Sequence, residues 1–125
     1  MDLTILWILF IAGVVIWKVR GMRRSPEQLA TIQAAIDAGA VLLDVRSAAE
    51  FGAGHLPGAR NVPVGRIGGA VAELKQTGRP VVVYCASGTR AGMAARRLRA
   101  GGVAVVLDLG TFRAGQGLRL SDVRA

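Results

Sequence analysis

Cysteine and histidine are the scarcest reactive residues of this chain, each present once among 125 residues, as Cys85 and His55. A single cysteine excludes an intramolecular disulfide framework and suits a reducing compartment. One cysteine and one histidine cannot supply the three or four ligands of a soft-metal site, so no metal and no cofactor is implied. Aromatic residues make up 5% of the chain, and beyond the first 24 residues only Phe51, Tyr84 and Phe112 remain. So few stacking side chains argue against a nucleic-acid partner. Acidic residues number 8 against 16 Lys and Arg, a formal charge of +8. The first 24 residues hold four cations and Asp2, or +3, which leaves +5 for the remainder. No internal repeat occurs, and the length suits one domain with a real core plus an appendage.

What the chain does have is one long apolar run near its start. From Leu3 to Trp17 only Thr4 and Gly13 interrupt it, and Lys18, Arg20, Arg23 and Arg24 follow. A helix over that run would be about 22 Å long, short of the roughly 30 Å hydrocarbon core. Met1 and Val19 extend it, with Lys18 and Arg20 snorkelling to the headgroups and Trp17 at the interface. A cleaved signal peptide would carry positive charge before the run and a small-residue cleavage site after it, whereas here Asp2 precedes and an arginine cluster follows. Residues 1–24 are therefore read as a retained transmembrane anchor with a basic juxtamembrane segment, ahead of a signal peptide or a core or peripheral helix. The cations all follow the span, so the positive-inside rule places the rest of the chain on the cytoplasmic side of the cell membrane.

From Ser25 onward, helix and strand patterns alternate. Ser25 as N-cap, Pro26 at the first helical position and Gln28 as the reciprocal capping-box residue open a helix to about Ala38, with Leu29, Ile32, Ala35 and Ile36 as its buried stripe and Gly39 just past its end. Val41 to Val45 reads as a buried strand, Ser47 to Glu50 as a second capping box on a short helix, and Ala59 to Val62 as another strand. A glycine-loosened helix spans about Val64 to Gln76. After the strand and helix that flank Cys85, Gly101 and Gly102 turn the chain into a last strand, Val103 to Leu107. This alternation of apolar strands with helices predicts an α/β fold, a mostly parallel sheet covered on both faces.

Cys85 closes the β-branched run Val81-Val82-Val83 and Tyr84, which reads as a fully buried strand. Ala86, Ser87, Gly88 and Thr89 are small enough to let the backbone curl before a helix begins near Arg90. The stripe Ala91, Ala94, Ala95 and Leu98 packs that helix on the sheet, with its N-terminus pointing back at the cysteine. Loop amides and helix dipole together form an anion site that would stabilise a thiolate, making Cys85 a candidate nucleophile. In parallel sheets such sites lie beyond the carboxyl ends of the strands, where Cys85 falls.

The loop Cys85-Ala86-Ser87-Gly88-Thr89-Arg90, with Leu43-Asp44-Val45-Arg46, Glu50-Phe51 and Gly54-His55-Leu56-Pro57-Gly58-Ala59 before it, resembles the rhodanese-like sulfurtransferase domain over about residues 27–118. The resemblance implies a three-layer rhodanese-like domain over 25–118, with residues 119–125 as a C-terminal tail. It also implies that Cys85 takes sulfane sulfur from an anionic donor such as thiosulfate, holds it as a persulfide within a ring of N–H donors, and passes it to a thiol or protein acceptor. Arg90 would hold the donor or steady the persulfide, with Ala86, Ser87, Gly88 and Thr89 as the substrate-binding turn. The alternative for Arg90 is a solvated first-turn arginine. Asp44, Arg46 and His55 are read as structural support for the loops rather than as groups that touch substrate. Phosphatases and arsenate reductases of this general architecture keep five residues between Cys and Arg; here there are four, which disfavours that chemistry. Many relatives carry a paired glycine and then tryptophan after the last strand, where this chain has Gly110-Thr111-Phe112, so Phe112 is expected in the tryptophan's space.

Two readings of function therefore stand at this point. One is a membrane-anchored, thiosulfate-type sulfurtransferase. The other is a membrane-tethered binding or sulfur-relay docking module with little turnover. Arg96, Arg97 and Arg99, opposite the alanine stripe, allow three roles: an ordinary solvated face, contact with anionic membrane lipid, or steering of anionic donors.

Overall fold

The computed structural model describes residues 2–120. The capping signals act as expected. In α2 (Pro26–Asp37) the Ser25 hydroxyl accepts from the Gln28 amide while the Gln28 side chain accepts from the Ser25 amide. In α3 (Ala48–Ala53) Ser47 and Glu50 repeat the arrangement. Each box satisfies helix N–H groups that would otherwise lack partners.

Four parallel strands, β1 (Val41–Asp44), β2 (Arg60–Asn61), β3 (Val81–Cys85) and β4 (Val106–Thr111), form one sheet in the order β2-β1-β3-β4. The period-2 alternation of strand side chains divides the interior into two cores. Val41, Leu43, Val45, Val81, Val83 and Cys85 face one side, against α4 (Ile67–Gln76) and the alanine stripe of α5 (Thr89–Ala100). Leu42, Val82, Tyr84 and Leu109 face the other, against Ile32 and Ile36 of α2. A 3-10 turn, Val64–Arg66, precedes α4, so the weak helix expected from Val64 becomes regular only at Ile67.

The last strand begins later than its apolar pattern suggests. Gly102 takes φ +97°, its amide donates to the Arg99 carbonyl, and the Val103 amide donates to the Leu98 carbonyl. That is a Schellman closure, in which Val103 serves as the buried partner of Leu98 at the end of α5 rather than as strand. Pairing starts at Val106, and β4 runs to Thr111, with a bulge that skips Leu109 between the Val83–Asp108 and Tyr84–Gly110 pairs. The strand expected over Ala59 to Val62 narrows to Arg60–Asn61.

A short α6 (Phe112–Gly115) follows β4, and a side chain at Gly115 would meet Leu56, so glycine lets this turn approach the β1–α3 side of the sheet. The domain also continues past the expected boundary at 118. Leu118 is half-buried, Leu120 is buried in the second core, and Gln33 exchanges two hydrogen bonds with the Arg119 backbone. The rest of the expected tail, 121–125, lies outside the described residues.

α1 (Leu3–Met22) is longer than its apolar run, because the helix continues through Lys18 and Arg20. Its 20 residues reach about 30 Å. The stretch Leu3–Arg20 is long and apolar enough to span a membrane, and no part of it is buried against the domain. A helix that is apolar all round and unburied has no stable partner in water.

Candidate active site at the end of the third strand

β3 is buried along its whole length and delivers Cys85, itself buried, to the carboxyl edge of the sheet between β1 and β4. Ala86 and Ser87 turn the chain outward, and Gly88 adopts φ +101°, ψ −19°, as the N-cap of α5. That left-handed conformation turns the Gly88 amide inward, where it donates to Cys85 Sγ at 2.9 Å. Among the described residues it is the one hydrogen-bond donor to the sulfur. Ser87 and Thr89 are exposed, and neither hydroxyl bonds to Sγ.

Arg90 does not stand free at the loop. Its guanidinium forks onto Glu50, with Nη1–Oε1 at 2.6 Å and Nη2–Oε2 at 3.0 Å. Glu50 is already the N3 residue of the α3 cap, so one carboxylate joins the start of α3 to the first turn of α5. The Arg90 fork, assisted by the Ser47 amide, holds the Glu50 carboxyl well below the ordinary carboxylate value, to about 2. Hydrogen bonding to Glu50 also raises Arg90, and the charge of Cys85 adds to it in the same direction. Both terminal nitrogens of the Arg90 guanidinium are thus tied to Glu50. Glu50 is the residue that spacing alone misses: its capping role is visible at three-residue separation, its partnership with Arg90 is not.

Beneath the loop lies a second ion pair. Asp44, at the end of β1, is fully buried and accepts from the Arg46 amide and from Nε and Nη2 of the Arg46 side chain. Arg46 Nη2 also donates to the Gly54 carbonyl at 2.6 Å, and Asn61 donates to the carbonyls of Asp44 and Arg46. The guanidinium sits over the Phe112 ring at 4.9 Å and the Tyr84 ring at 5.8 Å, so Phe112 packs on the cation and on Tyr84. Tyr84 Oη accepts from the Leu56 amide, and burial pushes its phenol pKa up. The exposed His55 donates from Nδ1 to the Phe51 carbonyl at 2.9 Å and stacks on the Phe51 ring at 3.7 Å. The hydrogen bonds of the Asp44, Arg46 and His55 side chains thus stay within the β1–β2 connection, while the Arg46 guanidinium also packs on Tyr84 and Phe112, and none of the three bonds to Cys85 Sγ.

Comparison with known proteins agrees with this fold. The family model described as "Rhodanese-like domain" matches residues 25–113. YqhL of Bacillus subtilis, an uncharacterised protein, is 40% identical over 70 residues, which is 56% of this chain and 55% of YqhL. An HTH-type transcriptional regulator of Mycobacterium tuberculosis is 49% identical over 45 residues, 35% of this chain and 19% of the regulator. The chain thus spans about half of the first of these relatives and a fifth of the second. Among solved structures, the human single-domain sulfurtransferase TSTD1 superposes with a TM-score of 0.57 at 28% identity, over 73% of this chain and 91% of that one. A rhodanese with anions from E. coli gives a TM-score of 0.57 at 26% identity, over 61% and 91%.

Proposed function

Because the chain belongs to the rhodanese-like domain family, whose solved neighbours here include sulfurtransferases, we propose that it is a sulfurtransferase carrying sulfane sulfur on Cys85. The observation that carries this reading is the Gly88 amide directed at Sγ at 2.9 Å, from a loop that opens at the carboxyl end of a central parallel strand. A thiolate there attacks the outer sulfur of a donor such as thiosulfate. The donor S–S bond breaks, sulfite leaves with the electron pair, and the Gly88 amide and the α5 N-terminus stand against the negative charge of the persulfide. A thiol or protein acceptor then removes the outer sulfur and returns Cys85 to thiolate.

α1 serves in this proposal as a single-pass anchor. Lys18, Arg20, Arg23 and Arg24 follow the apolar run Leu3–Trp17 and hold the domain on the cytoplasmic side.

The intact mass of the full chain in detergent, after thiosulfate, tests the chemistry. One added sulfur that cyanide or a thiol removes, absent in Cys85→Ser, is the expected result. No gain would favour the second reading, a tethered docking module. That reading has its own support, because Cys85 has no exposed surface and Arg90 commits both terminal nitrogens to Glu50.

A further inference from the structure

A cleft of about 530 Å³ borders the loop at Ala86 and Ser87, the two residues that follow Cys85, and at Thr111, the β4 partner of Cys85. Arg23, Arg24 and Arg113 also line it, and no acidic side chain does. Arg24 is already engaged. Its Nε donates to the Asp108 carbonyl at 2.7 Å, and Nη2 lies 3.3 Å from the Asp108 carboxylate, which clamps the segment after α1 onto β4. Among the described residues neither Arg23 nor Arg113 has a carboxylate partner. Arg90, the cation expected to meet the donor, is held by Glu50. Two unpaired guanidinium groups lining one cleft raise its positive potential, and an anion between them relieves their repulsion.

We propose that this cleft is the anion subsite of Cys85, in which Arg23 and Arg113 hold the negative group of the sulfur compound that reacts there. This rests on the sulfurtransferase reading above. The shared chemistry is an acidic group next to the reacting sulfur, either the oxyanion end of a thiosulfate-type donor or the carboxylate of an acceptor thiol. With the donor, the thiolate of Cys85 attacks the sulfane sulfur while the arginines keep the departing sulfite. With the acceptor, its thiolate attacks the outer sulfur of the Cys85 persulfide. The S–S bond breaks, its electron pair returns to Sγ, and the proton of the outer sulfur leaves with it in the product. The segment between α1 and the domain is then part of the site, and Arg24 positions it through Asp108.

The deciding experiment compares alkylation of Cys85, the only cysteine, by iodoacetate and by iodoacetamide, using the full chain in an uncharged detergent. The two reagents share a leaving group, so thiolate reactivity cancels in the ratio of their rates. That ratio should fall about fivefold in Arg113→Ala and again in Arg23→Ala, as expected for loss of one near charge in a wet cleft. Arg113→Lys and Arg23→Lys should restore it, and added salt should lower it in the native chain. An unchanged ratio in both alanine variants overturns the proposal, as does equal slowing by both reagents, which would mean that the arginines only shape the loop. Alkylation needs no sulfur transfer, so a chain that gains no sulfur from thiosulfate but keeps the ratio loses the sulfurtransferase reading and retains the subsite. Two further arms separate the sources. Slower thiosulfate loading in Arg113→Ala assigns the subsite to the donor, whereas slower transfer to 3-mercaptopropionate but not to 2-mercaptoethanol assigns it to the acceptor.

Discussion

Arg90 and Glu50 meet through two parallel hydrogen bonds, 2.6 and 3.0 Å long, across forty residues of sequence. One such contact makes the start of α5, and with it the turn around Cys85, dependent on the cap of α3.

Glu50→Gln keeps the side-chain shape and loses the charge. Arg90 is then free to leave the first turn of α5, and sulfur loading on Cys85 should slow on the order of tenfold to a hundredfold, the usual scale for a displaced reacting group. Stopped-flow or quenched mass measurements of loading check it. An unchanged rate would show that the loop holds itself.

The same pair has a defined acid limit. The Glu50 carboxyl sits at about 2 in the folded chain against an ordinary value of 4.5, so between those values the unfolded chain binds more protons. Its stabilisation is complete above about pH 4.5 and is lost as the pH falls through about 2. Both side chains are about one-third exposed, so salt weakens the effect. The melting-temperature difference between native and Glu50→Gln chains should be flat from pH 7 to about pH 5 and shrink below about pH 4. A difference that grows toward low pH would contradict the pairing.

Arg46→Ala removes the one side-chain cation that, among the described residues, pairs with the fully buried carboxylate of Asp44, together with the stacking on Phe112. An uncompensated buried charge costs about 3–5 kcal/mol. Urea unfolding should show a loss of that order, and a loss under 1 kcal/mol, the scale of an exposed pair, would place Asp44 in a wetter site than described.

Gly88→Ala puts a Cβ on a left-handed residue at φ +101°. The strain is about 1–2 kcal/mol. The melting point should drop modestly while sulfur loading falls far more, because relaxing the strain turns the amide away from Sγ. Equal losses in the two would mean that the amide contributes nothing specific.

Deleting residues 1–24 should release the chain from carbonate-washed membranes, whereas the full chain should pellet with them. A full chain that stays in the supernatant would rule out α1 as an anchor.

Much of the scaffold was legible because its signals are local. The capping boxes of Ser25 and Ser47 lie within three residues of their partners, the helical stripe Ala91, Ala94, Ala95 and Leu98 repeats within two turns, and the strand ending in Cys85 is apolar throughout. Failures came where an apolar residue had two uses. Val103 reads as strand but closes α5 on Leu98, and Leu120 reads as tail but packs in the second core.

The sequence by itself determined most of the element types, the placement of a lone cysteine between a buried strand and a helix N-terminus, and an apolar run of helical length, since periodicity and caps act over a few residues; that α1 is not buried against the domain came from the tertiary structure. Only the tertiary structure decided which charges meet. With 16 cations and 8 acids, spacing cannot assign Glu50 to Arg90 or Asp108 to Arg24. Those choices follow from strand order, which brings the ends of β1, β3 and β4 together at one edge, and for the fully buried Asp44 also from the free energy of desolvation, which lets a carboxylate sink there only where the Arg46 guanidinium is already waiting.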